Sequence, residues 1–363
     1  MNQGWGTQIV GVMRLELRKS FFSRRGLWIY LLAFAPALVY LIHAIDVTRD
    51  HEHRQALAAS HPVTGGALYL IRKDMTQQQV EDLAGEPYLK NEFHRIERRQ
   101  GQEPITHDYS RYHYTDGESD FTFFINDGVV VNINEQDRTN LTKESAIFAT
   151  VFQFFYLRLA VFFGCVGIFT NLFRGEMLEK SLHFYLLAPM RREILLAGKY
   201  LAGLSAAIAI FTVGTALQIA ALSWIFEPGQ VTAYMHGTGW HDIASYLGVT
   251  ALACAGYGSI FLAAGLLFRN PILPATVVML WESINIFLPA ALKKISVIFY
   301  LQALCPVVAA PESDTPALLR LLISSAQFPP AWLAIVGLTV VMLVVLGVAA
   351  ARARRLEINY GTE

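Results

Sequence analysis

Long apolar runs dominate the chain, separated by short charged stretches and one long polar stretch. A helix rises ~1.5 Å per residue, so ~20 apolar residues cross a ~30 Å hydrocarbon core. Six segments meet that length, roughly 26–45, 146–171, 200–226, 243–268, 272–290 and 331–351. The pattern predicts an all-α polytopic membrane protein with six transmembrane helices. The fifth segment is the weakest: it is short, starts beside Pro271 and Pro274, and contains Glu282 and Asn285. Residues 291–330 hold two more apolar stretches, 295–304 and 316–328, split by Pro306, Pro311 and Pro316. Each is too short to span.

Lysine and arginine in short flanking segments set orientation. They gather before the first span (Arg14, Arg18, Lys19, Arg24, Arg25), between spans two and three (Arg174, Lys180, Arg191, Arg192, Lys199), between four and five (Arg269), and in the tail (Arg352, Arg354, Arg355). With six spans all four groups fall on one side, so both termini are expected in the cytoplasm. Lys293, Lys294 and Arg320 are the exception. The first apolar run follows an arginine-rich segment, as in a signal peptide, but its length and the lack of a small-x-small cleavage site mark a retained span.

The long polar region, 46–145, lies between spans one and two and is expected outside the cytoplasm as a small α+β domain. Its start, 46–61, carries His51, His53 and His61, which reads as a solvated helical linker more readily than as a metal site. Residues 67–71 form a short strand candidate. Residues 75–83 have helical spacing, with Met75, Gln79, Val80 and Leu83 on one side; Thr76 and Gln79 form a capping box, and Gly85 and Pro87 end the helix. Residues 112–114, 121–125 and 129–133 read as strands, with Asn126-Asp127-Gly128 as a hairpin turn.

Composition narrows the chemistry. Only 16% of residues are charged, against roughly 25% in soluble domains. The formal net charge of +0 gives no field for nucleic acid. Cys165, Cys254 and Cys305 form no CxxC pair and none lies in 46–145, which argues against a zinc site or a disulfide scaffold. No G-x-x-x-x-G-K-[ST] loop occurs: Gly198-Lys199 lacks the upstream glycine and the following Ser or Thr. With no nucleophile-and-base set either, no catalytic residue, cofactor or metal is assigned to this chain.

Arg158 and Glu282 fall near the middle of the second and fifth segments, which at ~1.5 Å per residue is near mid-bilayer. Charges there usually face the bundle and pair. Arg158 with Glu282 is the natural pair, with Gln153, Gln218 and Asn285 as polar neighbours. The pair reads either as a structural lock between spans or as a polar lining that meets a transported substrate.

Residues 173–204 read FRGEMLEKSLHFYLLAPMRREILLAGKYLAGL. Flanking positive charge accounts for Arg191, Arg192 and Lys199 but not for Glu176 and Glu179, whose negative charge has no topological use. The segment resembles the signature of ABC-2 type permeases, a glutamate-rich turn after span two followed by leucines, a proline, basic residues and Gly-Lys. Glu176, Glu179, Lys180, Leu186, Leu187, Pro189, Arg191, Glu193, Gly198 and Lys199 fit it. LELRKSFFSRR before span one resembles that family's amphipathic elbow helix, and Trp281-Glu282, Leu288-Pro289, Ile295-Ser296 and Tyr300-Leu301 resemble its fifth-span region. The polar region resembles a BamE/SmpA-like envelope domain through Met75, Thr76, Val80, Leu83, Gly85, Pro87, Tyr114, Phe124, Asp127, Gly128 and Val129; Asp74 replaces the usual glycine, and Ala84 separates Leu83 from Gly85.

The resemblance implies an organisation of 1–45 as elbow helix and first span, 46–145 as extracytoplasmic domain, and 146–363 as spans two to six. It implies a coupling loop at 172–199 and short re-entrant helices in 291–330. It implies a multi-pass protein of the bacterial inner membrane that meets an ABC ATPase subunit through Glu176, Glu179, Lys180, Pro189, Arg191 and Arg192. ATP-Mg would sit on that partner chain. The other partners implied are a second permease copy or a paralogue, and membrane lipids. The competing reading is a non-transporting envelope protein in which 46–145 binds a partner and the helices anchor it. A secondary transporter would show internal repeats, and none is clear.

Overall fold

The longest apolar runs fold as continuous helices in the computed structural model, which describes residues 5–21, 26–63, 66–97, 105–136, 141–178, 191–226, 228–307 and 328–355. Among the described residues five helices are long and apolar enough to cross a bilayer: Leu27–Ser60, Glu144–Met177, Arg192–Trp224, Pro228–Leu267 and Ala331–Arg354. The described residues are mostly helical, with five candidate membrane-spanning helices and one small antiparallel sheet.

The segment 272–290 differs from a sixth continuous span. Its α-helix, Ile272–Ser283, has 12 residues, or about 18 Å at ~1.5 Å per residue. It tightens into a 3-10 turn, Ile284–Phe287, and ends at Leu288 in extended backbone. Pro289 explains the stop, because a proline pushes the residue before it out of the helical region. A further short helix, Val297–Leu304, covers the first of the two apolar stretches before the last span; most of the second, 316–328, lies outside the described residues.

The chain divides into two compact units, Ile42–Lys143 and a second made of Met1–Leu41 with Glu144–Glu363. In the helical unit we label Trp5–Phe21 α1, Leu27–Ser60 α2, Leu141–Thr150 α4, Phe162–Leu178 α5, Arg192–Trp224 α6, Trp240–Leu267 α8, Ile272–Ser283 α9, Val297–Leu304 α11 and Ala331–Arg354 α12. The labels α3, α7 and α10 fall to the short helices Gln77–Ala84, Pro228–Tyr234 and Ala290–Lys293. Helix α8 is central, packing against α5, α6, α11 and α12. Lipid is as apolar as leucine, so close contact rather than water exclusion holds such helices together. Edge-on aromatic pairs supply that contact: Phe152 with Tyr246 at 4.9 Å and Phe162 with Phe261 at 4.9 Å. Gly265 brings α8 against α5, since a Cβ there would lie 2.9 Å from the Thr170 backbone. Between α4 and α5 the helix widens into a π-helical stretch, Val151–Val161, which carries Gln153 and Arg158. Such widened turns occur often at functional sites.

The unit 42–143 contains strands β1 (Leu89–Glu97), β2 (Ile105–Thr115), β3 (Asp120–Asn126) and β4 (Val129–Gln136), antiparallel and in that order. Helix α3 and the sheet share a core of Leu68, Ile71, Val80, Ala84, Tyr112, Tyr114, Phe121, Phe123, Ile125 and Val130. The capping box is present: the Gln79 N–H donates to Thr76 Oγ1 and the Thr76 N–H donates to Gln79 Oε1. Leu83 is exposed, and Ala84 takes the inward position beside Val80. Thr76→Ala should cost the unit about 1 kcal/mol, read as faster amide exchange across 77–84 in the full-length protein. Protection equal to wild type would mean the cap does not support the helix.

The β3–β4 turn has Asp127 at φ 49 and Gly128 at φ 82, the pair of left-handed residues that a two-residue hairpin needs. The His107 side chain beside Asp127, together with the Asp108 N–H, holds the Asp127 carboxyl below the usual carboxylate range. That contact supports the turn above the ordinary carboxyl pKa and is lost as acid protonates the group.

Two details of this unit depart from expectation. Residues 67–70 form a 3-10 turn, not a strand. Gly66 enters it in the left-handed region (φ 77), and Ala67 and Leu68 are buried while Tyr69 and Leu70 face outward, a pattern that two-residue alternation does not fit. Strand β1 carries no apolar alternation because residues 89–94 are all exposed; it forms as the edge partner of β2. The histidine-bearing stretch 46–60 is part of helix α2.

Candidate functional site

One end of the helical unit brings three helices together around buried charge. Helix α1 crosses α6 closely at Gly198, where a Cβ would lie 2.8 Å from the Val12 Cβ. The next residue, Lys199, is 0% exposed. Its Nζ lies 2.6 Å from Glu16 Oε1 of α1 and 2.8 Å from Glu176 Oε2 of α5. It also sits 5.4 Å from the centre of the Phe173 ring. Both glutamates are buried. Taking an ammonium out of water costs several kcal/mol, and paired carboxylates offset that cost only when the geometry is close, as it is here. The trio ties the first helix to the end of span two and the start of span three.

Further contacts extend this junction. Arg191 caps the start of α6 in extended backbone, stays exposed, and lies 5.0 Å from the centre of the Trp5 ring. Arg192 donates from Nη1 to the Arg354 carbonyl at 3.0 Å, and Arg354 Nε donates to Glu193. The last span is thereby fastened to the same end. Of the residues read as a docking surface, Glu176 is turned into the bundle onto Lys199, Arg191 is exposed, and Arg192 is half-buried. Glu179, Lys180 and Pro189 lie outside the described residues.

The intramembrane polar residues fall into a second group. Glu282 is 4% exposed, and the buried Nε and Nη2 of Arg158 make no hydrogen bond to it. It caps helix α11 instead, accepting from Ser296 Oγ at 2.5 Å, the Val297 N–H at 2.9 Å and the Ile298 N–H at 3.1 Å. The physical reason is proximity: the 3-10 turn and Pro289 fold the chain back so that the start of α11 meets the end of α9. Arg158 lies within electrostatic reach of Glu282 and Tyr257 and stacks over Phe154 at 4.9 Å. Gln153 donates to the Val307 carbonyl at 2.7 Å and Gln218 to the Gly214 carbonyl at 3.3 Å. Asn285 is buried within the 3-10 turn.

Sequence reading placed Lys199 among flanking charges and gave Glu16 no role. One signal pointed to both. Glu16 is the single acidic residue before Asp46, set among five basic ones, and Lys199 stands inside an apolar run. The role of Ser296 had no comparable signal. Among the described residues no three His, Cys, Asp or Glu side chains gather as a metal site requires. Comparison of the chain with protein-family models, curated proteins and solved structures returned no match.

Proposed function

We propose that this chain is the membrane-spanning permease subunit of an ABC exporter, acting as a dimer with a second copy or a paralogue. ATP-Mg would be bound and hydrolysed by separate ATPase chains. In this reading α9 and its turn form a short fifth span, α11 belongs to a re-entrant region, and both termini and residues 172–199 face the cytoplasm of a bacterial inner membrane. The unit holding the sheet would lie outside.

The observation that carries the reading is the Glu16–Lys199–Glu176 trio. An ATPase closing in the cytoplasm must push on an element joined stiffly to transmembrane helices. Residues 179–190 connect α5 to α6, the two helices that Lys199 locks to each other and to α1. Force delivered to that connection would move three helices together. Arg191, exposed at its end, is available for a partner's acidic side chain.

The test is co-purification with a Walker-motif ATPase from the same cell. Glu179→Lys combined with Arg191→Glu should lower recovery of the ATPase at least about tenfold, as opposed charges become like charges at the contact. Undiminished recovery would remove the coupling assignment. The second reading, an envelope protein that does not transport, draws on the separate core of the 42–143 unit. It requires cargo export to be unaffected when ATPase binding is lost.

A further inference from the structure

We propose that Arg158, Tyr257 and Asn285 form an intramembrane site for the head of an acidic amphiphile, a carboxylate or phosphate carried on an acyl chain. The proposal goes beyond the coupling reading and does not depend on it. It needs only that the helical unit is embedded in a membrane.

The residues are brought together by packing. Arg158 lies one turn before Phe162, whose ring meets Tyr257 edge-on at 5.2 Å. Gly256, next to Tyr257, faces Val297, with its Cβ position 2.9 Å from Val297 Cγ1. The Val297 N–H donates to Glu282, and Trp281 and Asn285 flank Glu282 along the chain.

Nε and Nη2 of Arg158 and the Tyr257 hydroxyl are buried without a hydrogen-bond partner, and so are Nδ2 of Asn285 and Nε1 of Trp281 on the segment that carries Glu282. Tyr257 is 0% and Asn285 3% exposed. All five can donate. Buried donors without acceptors are costly in hydrocarbon, so the cluster is matched to a ligand rich in acceptor oxygens. Nε and Nη2 share one edge of the guanidinium, the edge that takes two oxygens of a carboxylate or phosphate side by side.

Glu282 does not fill this role or cancel it. Its carboxylate already accepts from Ser296, Val297 and Ile298, and the partial positive charge at the start of α11 offsets its own. The Nε and Nη2 edge of the guanidinium is left for a ligand. The surroundings point to an amphiphile. Phe154, under the guanidinium, and its neighbour Phe155 are exposed. An acyl chain lying on those side chains leaves its head beside Arg158, whereas a small soluble anion would lose its water there and gain no apolar contact.

The full-length protein in neutral detergent should be titrated with phosphatidic acid, palmitate, diacylglycerol and inorganic phosphate, and followed by native mass spectrometry. Phosphatidic acid and palmitate are expected to bind and diacylglycerol to be excluded. Arg158→Gln should weaken both acidic lipids at least about tenfold. Tyr257→Phe keeps the ring contact with Phe162 and should weaken them about threefold or more, which preserves the test if Arg158→Gln does not fold. Equal retention of diacylglycerol and phosphatidic acid overturns the proposal. So does wild-type affinity in the folded variants. Competition by inorganic phosphate as strong as by phosphatidic acid overturns its amphiphile half. Loss of ATPase recovery with lipid binding intact would touch only the coupling reading.

Discussion

Lys199→Met is expected to destabilise the helical unit by about 3–5 kcal/mol, the usual cost of removing one partner from a buried ion pair. The ammonium stands between Glu16 and Glu176. Without it two buried carboxylates remain near each other and the positive charge between them is gone. A loss of this size is a large share of the roughly 5–15 kcal/mol by which folded domains are stable. It should appear as a lower melting temperature by size-exclusion fluorescence after heating in detergent. The companion variant is the informative control. Glu16→Gln and Glu176→Gln added to Lys199→Met remove all three charges, and neutral replacement of a buried charge group is often tolerated, so most of the loss should return. A single Lys199→Met variant that melts with wild type would show that the trio does not hold these helices.

Glu282→Ala is the second large effect, again about 3–5 kcal/mol. The carboxylate satisfies two backbone N–H groups at the start of α11 and the Ser296 hydroxyl. Within a bilayer no water replaces it, and each unsatisfied backbone group costs several kcal/mol. Glu282→Gln keeps an acceptor oxygen but loses the charge, and should cost about 1–3 kcal/mol. Assembly and cargo export, measured separately on Glu282→Gln, divide the roles left open for this residue. Export lost with assembly intact supports a part in the pathway. If assembly alone suffers, Glu282 is a structural cap and the lining role falls.

The helices were legible in the sequence because length and apolarity decide them. The sheet was legible where burial imposed alternation, as at Phe121, Phe123 and Ile125, and where a turn demanded left-handed residues, as at Asp127-Gly128. Strand β1 was not, because an exposed edge strand needs no apolar face. The fifth segment showed its weakness through its prolines, but not the turn that folds Glu282 onto α11. Arg158 and Glu282 stood out as costly, yet cost alone does not name a partner. Glu282 took local donors that become visible only when Ser296, Val297 and Ile298 are brought beside it. Lys199 illustrates the same limit from the other side. Its charge was plain in the sequence, and its partners lay on two other helices, one of them 183 residues away.

That separation has a consequence for biogenesis. Glu16 emerges from the ribosome long before Lys199, and at about 5–20 residues per second the interval is roughly ten to forty seconds. During it the whole 42–143 unit is made, and the first helix cannot yet be fastened where it ends. The lock between α1 and the third span therefore closes only after the whole 42–143 unit has been made.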